Sequence, residues 1–381
     1  MRTAICDLLG IKDPIILAPM GIAVGPKLTA AVCNAGGLGT IPLWRADIET
    51  LRRQIHEVKS LTDKPFAVNL NLDFPQEERL EACLQERVPV ISFFWGDPKG
   101  LVTRAKAGGA IVMQTVGSAE EAQAAVRYGV DIVVAQGWEA GGHVWGTVST
   151  MALVPAVVDA VEPVPVVAAG GIADGRGLAA ALALGASGAW IGTRFLASSE
   201  ATIHPHYRDR LLKASESDTV HLQDLFDLSW PDAPHRVLRN KTVTDWEFAG
   251  RPQTGNRPGE GEIVAHSKSL GEILRYRCYT PGTDVDGDIE ALSMWAGQGV
   301  GLVKKLQPAA EIVREICEEA SLILKRLGTT SGQAKSGISN CAPRLFPILC
   351  AAHRITKALL QFLAQRRVRR DLGAWSGEWR Q

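Results

Sequence analysis

The sequence lacks the marks of several large protein classes. It has no excess of charge: 41 Lys and Arg stand against 41 Asp and Glu in 381 residues. Nothing therefore favours a nucleic-acid polyanion as partner. No apolar run is long enough to span a bilayer, and no signal-peptide pattern is present. The seven cysteines (6, 33, 83, 278, 317, 341 and 350) are odd in number and include no C-x-x-C pair. The expectation is a cytoplasmic protein with reduced thiols. No His, Cys or carboxylate cluster has ligand spacing, so no metal is expected.

What is present is a count of eight. Apolar runs of strand length occur at 14–20, 38–43, 66–72, 88–95, 110–116, 131–137, 165–171 and 188–195. Helix-compatible stretches such as Glu77 to Glu86 and Ser118 to Tyr128 lie between them. Near-continuous apolar strands alternating with helices indicate a parallel sheet covered on both faces. Eight units in under 200 residues point to a (β/α)₈ TIM barrel within an α/β chain. The last two units carry glycine turns, Gly170-Gly171 and Gly192-Thr193. In such barrels the loops after strands seven and eight form the usual phosphate site.

A second unit must follow the eighth strand, because roughly 180 residues remain. Residues 1–200 are read as the cofactor-binding barrel. Residues 201–300 are read as a smaller, mostly helical unit over the barrel mouth, with helical pieces at 208–215, 218–226 and 267–275. Residues 301–327 are read as a helix packing back on the barrel, and 328–381 as a basic tail dispensable for cofactor binding and turnover.

Barrel enzymes place their chemistry at the C-terminal ends of the strands. Those ends read Ala18-Pro19-Met20-Gly21, Asn69, Phe94-Trp95, Gln114 and Gln136-Gly137-Trp138-Glu139-Ala140-Gly141-Gly142-His143. They hold amides, small residues and one imidazole, but no paired carboxylates and no Ser–His–Asp set. Amides and backbone N–H groups suit the edge of a heteroaromatic ring, so with a phosphate site nearby FMN fits the inventory. Imidazole can act as a base when neutral or as an electrostatic partner when charged, which makes His143 the candidate catalytic group.

The pieces PIILAPMGIAVGPKLTAAVCNAGGLG (14–39), FAVNL around Asn69, AQGWEAGGHVWG (135–146), VPVVAAGGIADGRGLAAALALGASGAWIGTRF (164–195) and AGQGVGLV (296–303) resemble the nitronate monooxygenase family. These are FMN-dependent TIM-barrel enzymes formerly called 2-nitropropane dioxygenases. The resemblance runs from residue 1 to about 327. It implies that Ala18, Pro19 and Met20 line the isoalloxazine ring. Asn69, Gln114 and Gln136 would bond its polar edge or the ribityl chain, and Gly141 and Gly142 would let their loop pass close to it. Gly170, Gly171, Gly192 and Thr193 would hold the phosphate, and Gln298 would reach the flavin from the later segment. The implied reaction takes a nitronate or nitroalkane and O₂ to a carbonyl compound and nitrite, and a homodimer is compatible with it. The same motifs resemble flavin-dependent enoyl-ACP reductases and NAD(P)H:quinone reductases, so reduction by NAD(P)H through the flavin is the alternative. A flavin-binding scaffold without turnover is a third reading.

Overall fold

The structure is a computed structural model that describes residues 1–337, with side chains through residue 328. The basic tail, apart from its first helical backbone, lies outside the described residues. Eight parallel strands are found, one in each predicted run: Ile15–Leu17, Gly39–Pro42, Phe66–Asn71, Val90–Phe94, Ile111–Val116, Ile132–Gln136, Val166–Ala169 and Gly188–Ile191. Each pairs in parallel with its sequence neighbour, and the first pairs with the eighth, Ile16 opposite Trp190. The seam between strands one and two is closed by Leu17 N–H donating to Leu38 O (2.8 Å) and Leu38 N–H donating to Ile15 O (2.9 Å). The result is the expected (β/α)₈ barrel.

Alternation along each strand divides the core into two layers. Ala67, Val90, Met113, Val134, Val167 and Trp190 fill the barrel interior with Ile16 and Leu38. Val68, Ile91, Val112, Val133 and Val166 face outward against the helices. The N-terminal helix Ala4–Leu9 packs Ile5, Cys6 and Leu9 against the interior layer. Helix Ile48–Leu61 is representative of the outer ring. Its N-cap Asp47 accepts a bond from Thr50 N (2.7 Å), and Leu51, Ile55 and Val58, at helical spacing, are its buried face.

The later segment differs from the expectation. Helix Pro205–Lys213 matches the first predicted piece, and Lys241–Phe248 adds another helix. Residues 218–226 and 267–275 are instead mostly strand and turn. Thr219–Leu222 pairs antiparallel with His235–Leu238, which pairs with a two-residue strand, Gly142–His143. Ile263–Ser267 forms a hairpin with Gly271–Leu274 and also pairs with Val285–Gly287. Gly271, at φ +83°, turns the hairpin where a helix was expected. Each of these strands is short, and His235–Leu238 draws one partner from Gly142–His143 far back in the chain, so their local pattern is weak.

Met1–Leu324 forms one compact unit, and the chain from Lys325 onward forms a second. Within the first, helix Ala309–Gly337 begins by packing Ile312, Val313, Ile316 and Ala320 into the cluster that holds Leu28, Val32, Leu178 and Ile191. Its Glu319 carboxylate accepts from Gly175 N (2.7 Å) at the start of helix Gly175–Ala183. Five described cysteines, 6, 33, 83, 278 and 317, are free thiols. No described helix is long and apolar enough to cross a membrane.

Candidate active site

A cleft of about 960 Å³ opens at the C-terminal end of the barrel. Ala18, Pro19, Met20, Asn69, Gln136, Gly141, Gly142, His143, Gly170, Gly171, Gly192 and Thr193 all line it. Gln114 and Gln298 do not. The strand Ile111–Val116 explains Gln114: Val112 and Val116 pack in the outer layer, so Gln114 lies on that face and Thr115 reaches the cleft. A one-residue step exchanges the faces of a strand. Gln114 Nε2 bonds to Thr115 O (3.3 Å), while its Oε1 is buried without a partner. For Gln298 the chain does fold back, its N–H donating to Glu139 O (2.9 Å), but it is Gly297 and Gly299 that face the cleft.

One wall is built from glycine turns. Gly170 and Gly171 have φ of +100° and +73°, a conformation that side chains disfavour. Among the described residues, the N–H groups of Gly171, Ile172, Gly192 and Thr193 have no protein acceptor. Four free donors beside a cleft would cost stability if left unpaired, and they form a concave site suited to phosphate oxygens. A Cβ at Gly171 would project into space, with only Glu139 Cβ nearby at 3.7 Å. One at Gly192 would sit 3.3 Å from Met20 Sδ and 3.4 Å from Ala18 Cβ, so Gly192 keeps the wall thin under the first strand's loop. Asn71 adds a buried Nδ2 with no partner on the same cleft, and Asn69 Nδ2 bonds to Ser92 O (3.2 Å). A flavin phosphate and a ring edge that needs hydrogen-bonding partners fit this donor set.

The glycines at 141 and 297 have another cause. A Cβ on Gly141 would lie 2.2 Å from Gly297 N, so these two loops pass backbone to backbone. Thr193 Oγ1 accepts from Gly297 N (3.0 Å) and ties that crossing to the Gly192-Thr193 turn. Glu139 accepts from Thr150 N (2.9 Å) and Thr150 Oγ1 (3.0 Å), which fixes its loop at the start of helix Thr150–Val161. Gln136 spans the same loop, donating to His143 O (3.0 Å) and accepting from Trp145 N (3.1 Å).

The opposite wall is aromatic and encloses His143. Its ring stacks on Trp230 at 3.8 Å and 28°, with Trp295 at 5.1 Å and Trp95 edge-on at 6.2 Å. It sits in a paired strand rather than a free loop, opposite His235. Burial holds its pKa well below the usual histidine value, and the nearby His235 and Arg45 charges push the same way. His143 is therefore neutral at pH 7. Its Nε2 lies 3.8 Å from the Cys278 Sγ, within range of a weak thiol hydrogen bond. Burial pushes that thiol up to about 12, so sulfur keeps its proton and donates to Nε2 in the tautomer that carries the imidazole proton on Nδ1.

Trp230, Cys278, Trp295 and Arg45 escaped the sequence reading. Trp230 precedes a Pro-Asp-Ala-Pro turn, and Cys278 follows the second hairpin strand. Neither stands in a strand-end motif, and only tertiary packing brings them to His143.

The family model described as nitronate monooxygenase matches residues 2–79 and 72–319. A nitronate monooxygenase of Pseudomonas aeruginosa is 34% identical over 82% of this chain and 97% of its own length. An octahydroindene-carboxyl-CoA dehydrogenase of Rhodococcus jostii is 40% identical over 86% of this chain and 98% of its own. Among solved structures, FabK from Thermotoga maritima superposes with a TM-score of 0.74 at 36% identity, covering 87% of this chain and 99% of that one.

Proposed function

The chain belongs to the nitronate monooxygenase family, and on that premise we propose that it is an FMN-dependent oxidase of alkyl nitronates. The products are a carbonyl compound and nitrite, with O₂ as the oxidant and the source of the carbonyl oxygen. Membership already makes it a flavin-dependent oxidoreductase. The single observation that carries the finer reading is His143, neutral on the cleft wall and packed between Trp230 and Cys278. FMN seated in the cleft would supply the electron acceptor.

The glycine turns at 170–171 and 192–193 would hold the flavin phosphate with free N–H groups. Ala18, Pro19 and Met20 would press on the ring from the first strand's loop, and Asn69, Asn71 and Gln136 would meet its polar edge. Trp95, Trp230 and Trp295 exclude bulk water, so charge is stabilised by fixed groups rather than by solvent. A histidine with a depressed pKa is a weak base, which suits a substrate whose α-proton has already left. A bound nitronate anion would in turn favour protonation of His143 and be stabilised by it. A neutral nitroalkane would need His143 to take its α-proton and should react more slowly.

A second reading, oxidation of an acyl-CoA, is favoured by the cleft volume and by the name of the Rhodococcus relative. Anaerobic mixing separates the readings. Ethyl nitronate is expected to bleach the yellow holoenzyme rapidly, while NADH, NADPH and an acyl-CoA leave it coloured. Rapid bleaching by a nicotinamide or an acyl-CoA, with none by nitronate, would overturn the proposal.

A further inference from the structure

The two nitrogens of the His143 ring meet different surroundings. Nε2 faces the Cys278 Sγ at 3.8 Å, its one hydrogen-bonding neighbour among the described residues. Nδ1 has no bonding partner among them, yet it is not one of the buried polar atoms left unsatisfied, so it keeps contact with the cleft that His143 lines. Neighbouring groups are committed elsewhere. His235 bonds Ala233 O (2.9 Å) and Phe226 N (3.3 Å), and Trp230 stacks on the face of the His143 ring rather than its edge. The sulfur is held in place by the fold. Cys278 N–H donates to Leu228 O (3.0 Å), and Cys278 packs with Trp95, Trp230 and Ala233, so the segment that carries Trp230 also delivers the thiol.

The partners decide which nitrogen carries the proton. An imidazole N–H is a strong donor and sulfur a weak acceptor, so an N–H turned toward Cys278 would be poorly satisfied. An N–H at Nδ1 meets water or an anionic ligand in the cleft. The thiol hydrogen, which has no other acceptor among the described residues, then satisfies the Nε2 lone pair.

We propose that Cys278 is a positioning residue: its S–H donates to His143 Nε2 and holds the ring in the tautomer that presents an N–H, at Nδ1, to the cleft. The consequence rests on the nitronate reading above and deepens it by naming what selects the ionisation state of the substrate. A nitronate has already lost its α-proton, and its oxygens can accept from Nδ1–H. A nitroalkane must pass that proton to a bare ring nitrogen as its C–H bond breaks, and the bare nitrogen faces sulfur instead of substrate. The thiol thus turns His143 toward substrates deprotonated beforehand.

The first test needs no variant. In flavin-loaded protein carrying isotopically labelled histidine, the ring signals that vanish in His143→Asn belong to His143, and nitrogen–proton correlation spectra tell its protonated nitrogen from its bare one. Nδ1 protonated and Nε2 bare is the expected result; Nε2 protonated would overturn the proposal. Cys278→Ala should redistribute the proton between the two nitrogens. It should also raise the ratio of kcat/KM for nitroethane over ethyl nitronate about fivefold, the shift that loss of one ordinary hydrogen bond allows. Cys278→Val fills the space of the sulfur with no hydrogen to donate and should behave in the same way. A role in packing alone would lower both substrates together and leave the tautomer unmoved, and that result in either variant would sink the proposal. If nitronates fail to bleach the flavin while the tautomer responds as stated, the nitronate reading fails and the positioning role stands.

Discussion

The two walls of the cleft were built in opposite ways. The glycine wall comes from consecutive βα turns, Gly170-Gly171 and Gly192-Thr193, whose free N–H groups follow from local backbone conformation. The aromatic wall brings together residues from four distant stretches: Trp95, His143, Trp230 with His235, and Cys278 with Trp295. The first wall is a property of short segments and offers backbone donors, which suits a phosphate. The second is a property of packing and shifts the pKa of what it encloses, which suits chemistry. Cofactor seating and reactivity are thus expected to fail separately.

The largest break should come at Trp230, which is buried and touches the rings of Trp44, Phe94, Trp95 and His143. Trp230→Ala should lower stability by about 3–5 kcal/mol, as large-to-small aromatic changes in a core do. It should also let water reach His143, raising its pKa and moving the acid limb of the pH–rate profile to higher pH. Denaturant melts and a pH series of kcat/KM check both, with flavin content expected to change little.

Acid should loosen the same wall. Burial pulls His235 down from 6.5 to about 4, with its ring held between Ala233 O and Phe226 N. The unfolded chain then takes up a proton first as pH falls below 6.5. Stability is full above that value, declines between 6.5 and about 4, and levels off below. The size is about 3 kcal/mol at 1.36 kcal/mol per unit. Melting midpoints at pH 7, 5 and 4 should show this loss shrinking in His235→Asn; an unchanged slope would remove His235 as its source.

His143→Asn removes the titrating group and keeps a polar side chain. Turnover of neutral nitroalkanes should fall on the order of 10²-fold or more, with a smaller loss on pre-formed nitronates. Oxygen uptake with nitroethane and ethyl nitronate measures the two, and equal losses would mean that the ring acts by stabilising charge alone.

The glycine wall should break more quietly. Gly171→Val forces a β-branched residue to φ +73° and puts its methyls where the phosphate would sit. The strain alone is about 1–3 kcal/mol, and the purified protein should be colourless. Gly192, at φ −107°, has no such conformational demand, so Gly192→Ala should cost less and retain part of its flavin. Absorbance ratios on freshly purified protein test the order, which reversed would place the phosphate against the eighth strand rather than the seventh.

Much of the first wall was legible in the sequence. All eight strands fell in their predicted runs, since a strand buried on both faces announces itself by apolar content. The AAGGI turn was legible because Gly170 and Gly171 sit at positive φ, which backbone geometry reserves for glycine, and the IGT turn because Gly192 directly follows the eighth strand. Gln114 was misplaced by one position, because an amide amid Val112 and Thr115 does not reveal which face of the strand is inward. Residues 218–226 read as helix because their strand partner lies in a separate segment, at 235–238, and 267–275 because a short hairpin arm turned at Gly271 carries little period of its own.

The sequence by itself determined the barrel, the glycine turns and the presence of one histidine on a strand-end loop, because each is encoded within a dozen residues. Only the tertiary structure decided what that histidine is. Packing of Trp230, Trp295 and Cys278 around His143 removes much of its water and holds its pKa well below the usual histidine value. Desolvation depends on everything within a few ångströms in space, and those neighbours come from residues some 90 to 150 positions away along the chain.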